Sequence, residues 1–210
     1  MNNKVNVLNH PLLKHKLGYL RDKRTNSAEF RNLLGEMSSL LAFESMRNWD
    51  NLKSIEIETP ICKTSVERIT QSPVLVSIMR AGNGMIDPIL KMMPFASVGF
   101  IGIYRDKFIH NTVEYYFKMP EDIKGRMVIL CDPLVSTADT MIAAIDRLKS
   151  YEVTNIKILT ILLSEFAKER IEHFHSDVEI YTLSLEKEIN EQGYLVPGLG
   201  DAGDRLYQTK

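Results

Sequence analysis

Short apolar runs that alternate with helical patterns are the feature that most constrains the fold of this chain. The runs are nearly continuous in apolar residues, and they occupy positions 74–79, 98–104, 127–131, 156–163 and 178–183. Such runs are typical of strands that are buried on both faces of a parallel sheet. Helical patterns lie between several of them, at 85–93, 141–150 and 165–173. The alternation predicts an α/β fold with a mostly parallel, twisted sheet flanked by helices.

The first forty-odd residues are predicted to be helical. Asn26 and Glu29 have the spacing of a helix-capping box. Apolar residues then repeat along one face of a helix, namely Phe30, Leu33, Leu34, Met37, Leu40 and Leu41. This face could pack on the core or form a dimer seam. Farther along, Ile55, Ile57 and Thr59 alternate with polar residues, as in a half-exposed strand.

The charge balance and the cysteines exclude several classes of protein. Lys and Arg number 26 against 27 Asp and Glu, so the net charge of −1 gives no general attraction to nucleic acid or to an anionic membrane. Two cysteines, Cys62 and Cys131, are expected to be reduced, buried thiols rather than a disulfide framework. The polar start of the chain and the lack of an apolar run of about 20 residues predict a cytoplasmic protein.

Cations follow two of the predicted strands. Ligands of such sheets bind beyond the carboxyl ends of the strands. Run 74–79 is followed by Arg80, Gly82 and Gly84, and run 98–104 is followed by Arg105. Either arginine alone could be a solvated loop residue, and the glycine-containing turn could be a plain connection. Two cations at neighbouring strand ends in a nearly neutral chain favour an anion site.

A third strand end carries a carboxylate and a hydroxyl-rich turn. Asp132 follows run 127–131, where it could accept hydrogen bonds from sugar hydroxyls. Residues 136–140 then precede a helical pattern, and such a turn can cradle a phosphate with its backbone N–H groups. The same residue types also cap helices, so this turn could simply begin the helix.

The segment 194–205 contains three glycines and one proline and shows neither helical nor strand periodicity. So much glycine near a chain end is typical of a loose terminus. The interleaved apolar residues Leu195, Val196 and Leu199 instead favour a loop that packs on the body of the protein. Its backbone amides and carbonyls could then bind the edge of a planar base.

These four segments, in this order, resemble the uracil phosphoribosyltransferase family. Segment 10–17 (HPLLKHKL) matches the N-terminal pattern of that family, and segment 197–205 (PGLGDAGDR) is the most specific match. The resemblance implies the phosphoribosyltransferase fold and the transfer of ribose 5-phosphate from phosphoribosyl pyrophosphate (PRPP) to uracil. The products would be UMP and pyrophosphate, in pyrimidine salvage. It also implies Mg²⁺ bound with PRPP, a homodimer or larger homo-oligomer, and GTP as an allosteric activator in many members.

The resemblance also implies roles for individual residues. Arg80 and Arg105 would contact the pyrophosphate, and Asp132 and Arg105 would be the catalytic residues. The ribose 5-phosphate would lie on Asp132, Pro133, Leu134, Val135, Ser136, Thr137, Ala138, Asp139 and Thr140. The uracil pocket would comprise Leu195, Gly200, Asp201 and Ala202. Asp201 would also face the ribose or its metal ion, and no dedicated set of protein metal ligands is expected.

A single domain over residues 1–210 is expected. It would consist of an N-terminal helical arm at about 10–47, a core at about 70–185 and the uracil-binding tail at about 190–210.

The phosphate loop departs from the family pattern at two positions. The family loop reads Asp-Pro-Met-Leu-Ala-Thr-Gly-Gly-Ser, whereas this chain has Ala138 and Asp139 in place of the glycine pair. A non-glycine residue in a left-handed conformation costs about 1–2 kcal/mol. A carboxylate about 4 Å from a phosphate charge would add a repulsion of about 4 kcal/mol at an effective dielectric of 20. The segment 107–110 also replaces a more polar stretch of the family pattern.

Two ways to tolerate the altered loop remain open at this point. Asp139 could point outward near the positive end of the helix dipole, or Ser136, Thr137 and Thr140 could hold the phosphate without the glycines. The alternative function is a catalytically weak paralogue that binds uracil, UMP or GTP as a sensor or as a partner subunit.

Overall fold

The computed structural model describes residues 4–105 and 112–209, apart from the side chain of Arg105. The helices are α1 (Pro11–Arg21), α2 (Ser27–Ser45), α3 (Asn83–Met92), α4 (Asp139–Lys149), α5 (Glu165–Phe174) and α6 (Ala202–Tyr207). The first six strands are β1 (Val5–Val7), β2 (Leu52–Glu58), β3 (Lys63–Ile69), β4 (Val74–Met79), β5 (Ser97–Arg105) and β6 (Thr112–Lys118). The others are β7 (Met127–Cys131), β8 (Leu134–Val135), β9 (Asn155–Ser164), β10 (Glu179–Glu186), β11 (Glu188–Ile189) and β12 (Leu195–Val196).

The central sheet has the order β1-β10-β9-β7-β4-β5-β6, with β8 paired to β9. Every strand pair in it is parallel except β5 with β6. The α/β prediction with a mostly parallel sheet is therefore confirmed. The five apolar runs correspond to β4, β5, β7, β9 and β10, and each of the three predicted helices lies within two residues of its expected bounds.

Helices cover both faces of this sheet. Alternate residues of one strand face opposite ways, so that Leu75 packs in the cluster with α1, α2, α3 and α6, whereas Val74 and Val76 pack with α4 and α5. This arrangement explains why the runs are apolar at consecutive positions. No helix among residues 4–105 and 112–209 has the length and apolar character needed to cross a membrane.

The N-terminal region is helical, but it is preceded by a strand that the sequence did not indicate. Strand β1 has only three residues, and it pairs in parallel with β10. Asn26 caps α2 as predicted, since its side chain accepts hydrogen bonds from the N–H groups of Ala28 and Glu29. The predicted apolar face packs on the core, except that Leu40 is 38% exposed.

Strands β2 and β3 form an antiparallel hairpin outside the central sheet. The strand predicted around Ile55 and Ile57 is present as β2, but its expected half-burial was wrong, because nearly every residue of the hairpin is exposed and Ile61 in its turn is 93% exposed. The expectation that both thiols are buried was also wrong for one of them. Cys62 lies in the hairpin turn and is exposed, whereas Cys131 in the central strand β7 is buried.

Candidate functional site

The topology brings three loops together at one edge of the sheet. Strands β7, β4 and β5 are adjacent and parallel, so the residues that follow them share the carboxyl edge. Arg80 follows β4, Asp132 follows β7, and the backbone of Arg105 ends β5. The side chain of Arg105 and the segment 107–110 lie outside the described residues.

Arg80 extends from this edge toward the end of the chain. Its guanidinium donates a hydrogen bond to Thr209 Oγ1 at 3.1 Å and lies 3.4 Å from Asp204 Oδ1. The Tyr207 hydroxyl donates to the Arg80 carbonyl at 3.3 Å. The loop after β4 therefore contacts α6 directly. The Arg80 side chain remains 54% exposed, which leaves its donors accessible to an anion.

Asp132 is a half-buried carboxyl with a perturbed pKa. Burial raises the pKa of Asp132 to about 7, and the negative charge of Asp201 adds to the rise. A hydrogen bond of 3.3 Å from the N–H of Leu134 opposes it. The charge of Asp201, on the tail, therefore acts on Asp132 at the third strand end. A carboxyl whose pKa lies near neutrality at the open end of a sheet is typical of a functional site.

The loop 132–140 is rigidly joined to its surroundings. Pro133 and Val135 have buried side chains, and the Pro133 carbonyl accepts hydrogen bonds from two N–H groups of β9. Leu134 and Val135 form β8, while Thr140 is half-buried in the first turn of α4. The Ser136 hydroxyl donates to the Gly193 carbonyl at 2.7 Å, which ties the loop to the tail. Pro133 and Val135 can therefore bind a ligand only through their backbones.

The altered positions of this loop are both accommodated. Ala138 adopts the left-handed conformation expected for the family glycine, with φ of 64° and ψ of 2°. Asp139 begins α4, and its Oδ1 accepts a hydrogen bond of 2.6 Å from Arg170 on α5. Its Oδ2 accepts a hydrogen bond of 2.9 Å from the Thr137 hydroxyl. The carboxylate is therefore paired with a cation on the neighbouring helix.

The tail is a folded loop rather than a loose terminus. Strand β12 pairs with β11, and Gly198 and Gly200 have positive φ angles of 57° and 82°. A Cβ on Gly198 would lie 2.1 Å from the Leu195 carbonyl oxygen, so this turn requires glycine. Leu195 and Ala202 are buried, whereas Gly200 is exposed and Asp201 is half-buried. Of the four residues predicted to bind uracil, only Gly200 and Asp201 reach the surface of the protein.

An open cleft of ≈ 440 Å³ lies beside the tail. Gly200, Asp201 and Arg205 line it from the tail, and Lys23 and Thr25 line it from the loop between α1 and α2. The cleft thus joins the predicted base-binding segment to the N-terminal helices. Leu195 and Ala202 are not part of its lining.

Two arginines without an expected role hold the tail in place. Arg21 donates to the Gly198 carbonyl at 2.7 Å and forms an ion pair with Glu186. Arg205 donates to four backbone carbonyls, those of Leu20, Leu199, Asp22 and Thr25, at 2.6, 3.0, 2.7 and 3.5 Å. Its guanidinium also lies 4.4 Å from the centre of the Phe30 ring. The composition of the tail gave no signal for these contacts, because most of the partners are far away in sequence.

Replacing Arg205 by methionine is expected to lower the free energy of unfolding by about 2–4 kcal/mol, since several partly buried carbonyls lose their donors. Urea unfolding measures this change. Arg24→Ala is the matched control, because the Arg24 side chain is 84% exposed and its ion-pair partner among the described residues is Asp22. The control should change the value by less than about 0.5 kcal/mol. An equally small effect for Arg205→Met would show that the carbonyl contacts do not hold the tail.

The comparisons with known proteins agree with this geometry. The family model for uracil phosphoribosyltransferase matches residues 7–209. A uracil phosphoribosyltransferase from Clostridium kluyveri is 46% identical over 208 residues, which cover 99% of both chains. One from Brucella ovis is 47% identical over 207 residues, covering 98% of this chain and 99% of the relative.

Solved structures give the same fold. The AQ2163 protein from Aquifex aeolicus superposes with a TM-score of 0.92 at 31% identity, covering 98% of this chain and 99% of the other. An adenine phosphoribosyltransferase from Leishmania donovani has a TM-score of 0.60 at 11% identity, covering 92% of this chain and 88% of the other. The second similarity concerns the fold alone. Because the family model matches residues 7–209, this chain belongs to the uracil phosphoribosyltransferase family.

Proposed function

We propose that this protein transfers ribose 5-phosphate from PRPP to uracil and releases UMP and pyrophosphate, as a step of pyrimidine salvage. The observation that carries the proposal is the meeting of the loop 132–140 with the tail. The hydrogen bond from the Ser136 hydroxyl to the Gly193 carbonyl joins the two segments that would hold the sugar phosphate and the base, and the charge of Asp201 on the tail acts on Asp132. The 46–47% identity to proteins named for this activity supports it.

The proposed reaction needs charge stabilisation and alignment more than a protein nucleophile. The bond between C1′ of PRPP and the pyrophosphate oxygen breaks, and its electron pair leaves with the pyrophosphate. The bond from uracil N1 to C1′ forms, and the proton of N1 is released. C1′ develops oxocarbenium character between these events, as at a glycosidic bond. Oriented cations and hydrogen-bond acceptors lower the barrier for such a step.

Three groups of residues would divide this work. Arg80 and Arg105 would contact the departing pyrophosphate as cations. Asp132 would accept hydrogen bonds from the two ribose hydroxyls. The backbone N–H groups of residues 136–140, at the start of α4, would hold the 5-phosphate.

The base would lie against the tail. Gly200 and Asp201 would meet the edge of uracil through backbone and side chain, and Leu195 and Ala202 would contribute backbone groups from beneath them. The positive φ at position 200 favours glycine, which has no side chain to cover this surface.

Magnesium fits the donors at the site. Mg²⁺ typically binds one or two carboxylates together with substrate phosphates and water. Asp132 and Asp201 are two such carboxylates, and the described residues contain no cluster of three or more potential metal-ligating side chains. An ion that arrives with PRPP would neutralise the pyrophosphate. Chelation by EDTA should therefore abolish turnover, and added Mg²⁺ should restore it; turnover unaffected by EDTA would contradict this role.

A homodimer of single-domain subunits is the proposed assembly, and β2 and β3 support it. The hairpin formed by these strands is exposed on both faces, and an apolar cavity of ≈ 410 Å³ lies at its base. The cavity is lined in part by Phe43, Trp49, Leu52, Ile69 and Phe95. A second copy of the chain would cover this surface. Light scattering after size exclusion should give the mass of at least a dimer, and a monomer would contradict the proposal.

GTP activation and a cytoplasmic location are proposed from the family resemblance and from the substrates. PRPP is a highly charged metabolite that does not cross membranes unaided. Added GTP should raise the rate of UMP formation at a subsaturating PRPP concentration, and an unchanged rate would contradict activation by GTP.

Cell fractionation tests the location, and recovery of the protein outside the cytoplasmic fraction would contradict it. No contact of the described residues favours the alternative of a sensor or partner subunit.

Base selectivity provides the test of the proposed function. The pure protein is incubated with PRPP, Mg²⁺ and uracil, cytosine or hypoxanthine in parallel, and the nucleotides are identified by mass spectrometry. UMP is expected from uracil alone, because the tail is the segment that matches this family most closely. A nucleotide from hypoxanthine but none from uracil would overturn the assignment of the base.

A further inference from the structure

The loop 136–140 carries a negative charge where the proposed function requires an anion to bind. Asp139 is the first residue of α4, and the preceding Ala138 has a left-handed conformation. The N–H groups that begin this helix are those that would hold the 5-phosphate. An unpaired Asp139 would compete with the phosphate for these N–H groups and would repel its charge.

Arg170 removes both problems through contacts with two residues of the loop. It donates to Asp139 Oδ1 at 2.6 Å and to the Thr137 carbonyl oxygen. The Thr137 hydroxyl donates to Asp139 Oδ2 at 2.9 Å. Both charged side chains are mostly shielded from solvent, with 30% exposure for Arg170 and 22% for Asp139. Arg170 therefore neutralises the carboxylate of Asp139, which follows Ala138, and holds the backbone carbonyl of Thr137, which precedes it.

We propose that Arg170 is a positioning residue for the 5-phosphate of PRPP, acting through Asp139 and Thr137. The inference rests on the proposed function, and it concerns the residues that replace the glycine pair of the family loop. Glycines can arrange their N–H groups around a phosphate without help from a side chain. In this chain the ion pair to α5 maintains that arrangement instead. Arg170 lies outside every segment in which the sequence indicated site residues.

The arrangement makes the effects of Arg170 and Asp139 interdependent. When Arg170 is removed alone, the charge of Asp139 is released next to the phosphate. When both are removed, no released charge remains. Two substitutions that act through one contact give a double-mutant effect that differs from the sum of the single effects.

The test measures both binding and turnover in four variants and one control variant. Ribose 5-phosphate is the calorimetric probe, since its binding does not depend on the transfer reaction. Arg170→Met retains an apolar side chain of similar length but loses the charge. It should weaken ribose 5-phosphate binding and raise the KM for PRPP by about tenfold or more, with kcat and the KM for uracil within about threefold. Arg170→Lys should recover part of this loss because it restores the charge. Asp139→Gly/Arg170→Met should bind within about threefold of Asp139→Gly.

Lys168→Ala is the matched control, because Lys168 is a cation of the same helix that pairs with Glu172 instead of the loop. It should leave both constants unchanged. Circular dichroism of each variant establishes that it is folded. If Arg170→Met binds within about twofold of the wild type, or if the double variant is as defective as Arg170→Met, the proposal is wrong. A wild type that forms no UMP but binds ribose 5-phosphate in an Arg170-dependent manner would refute the proposed reaction and leave the positioning role intact.

Discussion

Replacing Asp132 by asparagine is expected to lower kcat/KM for PRPP by about 10²–10⁴, because the proposed hydrogen bonds from two ribose hydroxyls to a charged acceptor are each worth about 1.5–3 kcal/mol. Asparagine keeps the size of the side chain and one acceptor oxygen, so the loss reports on the charge. Steady-state kinetics with varied PRPP measure the effect.

The wild-type kcat/KM should itself rise with pH up to a plateau above about pH 7, as the Asp132 carboxyl with its pKa of about 7 becomes ionised.

The same substitution should make the protein more stable at alkaline pH. The pKa of Asp132 is about 7 in the folded protein against an ordinary value of 3.8. Between these values the unfolded chain ionises Asp132 while the folded protein keeps it protonated, so the wild type loses stability as pH rises through this window. Asparagine does not ionise. Asp132→Asn should therefore raise the free energy of unfolding by ~4 kcal/mol at about pH 8 and by less than about 1 kcal/mol at about pH 4. An undiminished kcat/KM or a less stable variant at about pH 8 would contradict the role of Asp132.

Replacing Gly82 by alanine is expected to reduce both stability and activity severely. A Cβ at this position would lie 2.3 Å from the Cys131 carbonyl oxygen and 2.7 Å from the Ile78 carbonyl oxygen. Both are backbone atoms of buried strands, so neither can rotate away as a flexible side chain would. The ends of β4 and β7 would have to separate, and this movement would displace Arg80 and Asp132 together. A loss of at least about 3 kcal/mol in the free energy of unfolding is expected.

Gly18→Ala is the matched control for that experiment. Gly18 lies within α1, and a Cβ added there would meet nothing within 4 Å. Alanine favours the helix over glycine, so this variant should be about 0.5–1 kcal/mol more stable than the wild type. Urea unfolding of the two variants gives opposite signs if the packing is as described. A Gly82→Ala variant that is as stable and active as the wild type would show that the turn after β4 does not pack against the end of β7 as closely as described.

The fold was largely predictable because the central strands are buried on both faces. Each of β4, β5, β7, β9 and β10 is an apolar run in the sequence. The short edge strand β1 and the exposed strands β2, β3 and β6 lack that signal, since a strand that is not buried needs no continuous apolar run. Cys62 was wrongly predicted to be buried because the apolar Ile61 precedes it in the sequence. Ile61 is almost fully exposed in the hairpin turn, and so is not part of a buried strand.

The candidate site could be predicted from the sequence only at residues that directly follow a strand. The rule that ligands bind at the carboxyl edge located Arg80 and Asp132 from local sequence. The arginines that support the site were missed because their contacts are distant in sequence. Arg170 reaches Asp139 across 31 positions, and Arg205 reaches Leu20 across 185. An arginine on a helix pattern looks like a solvated residue until the fold shows what it contacts.

A titration of PRPP at saturating uracil and Mg²⁺, with UMP formation as the readout, tests the central claim most directly. The altered loop is predicted to bind PRPP, so UMP formation should rise hyperbolically and reach a plateau, and it should depend on the protein and on both substrates. Absence of UMP above a protein-free control, even at the highest PRPP concentration, would contradict the claim that this chain is a working uracil phosphoribosyltransferase.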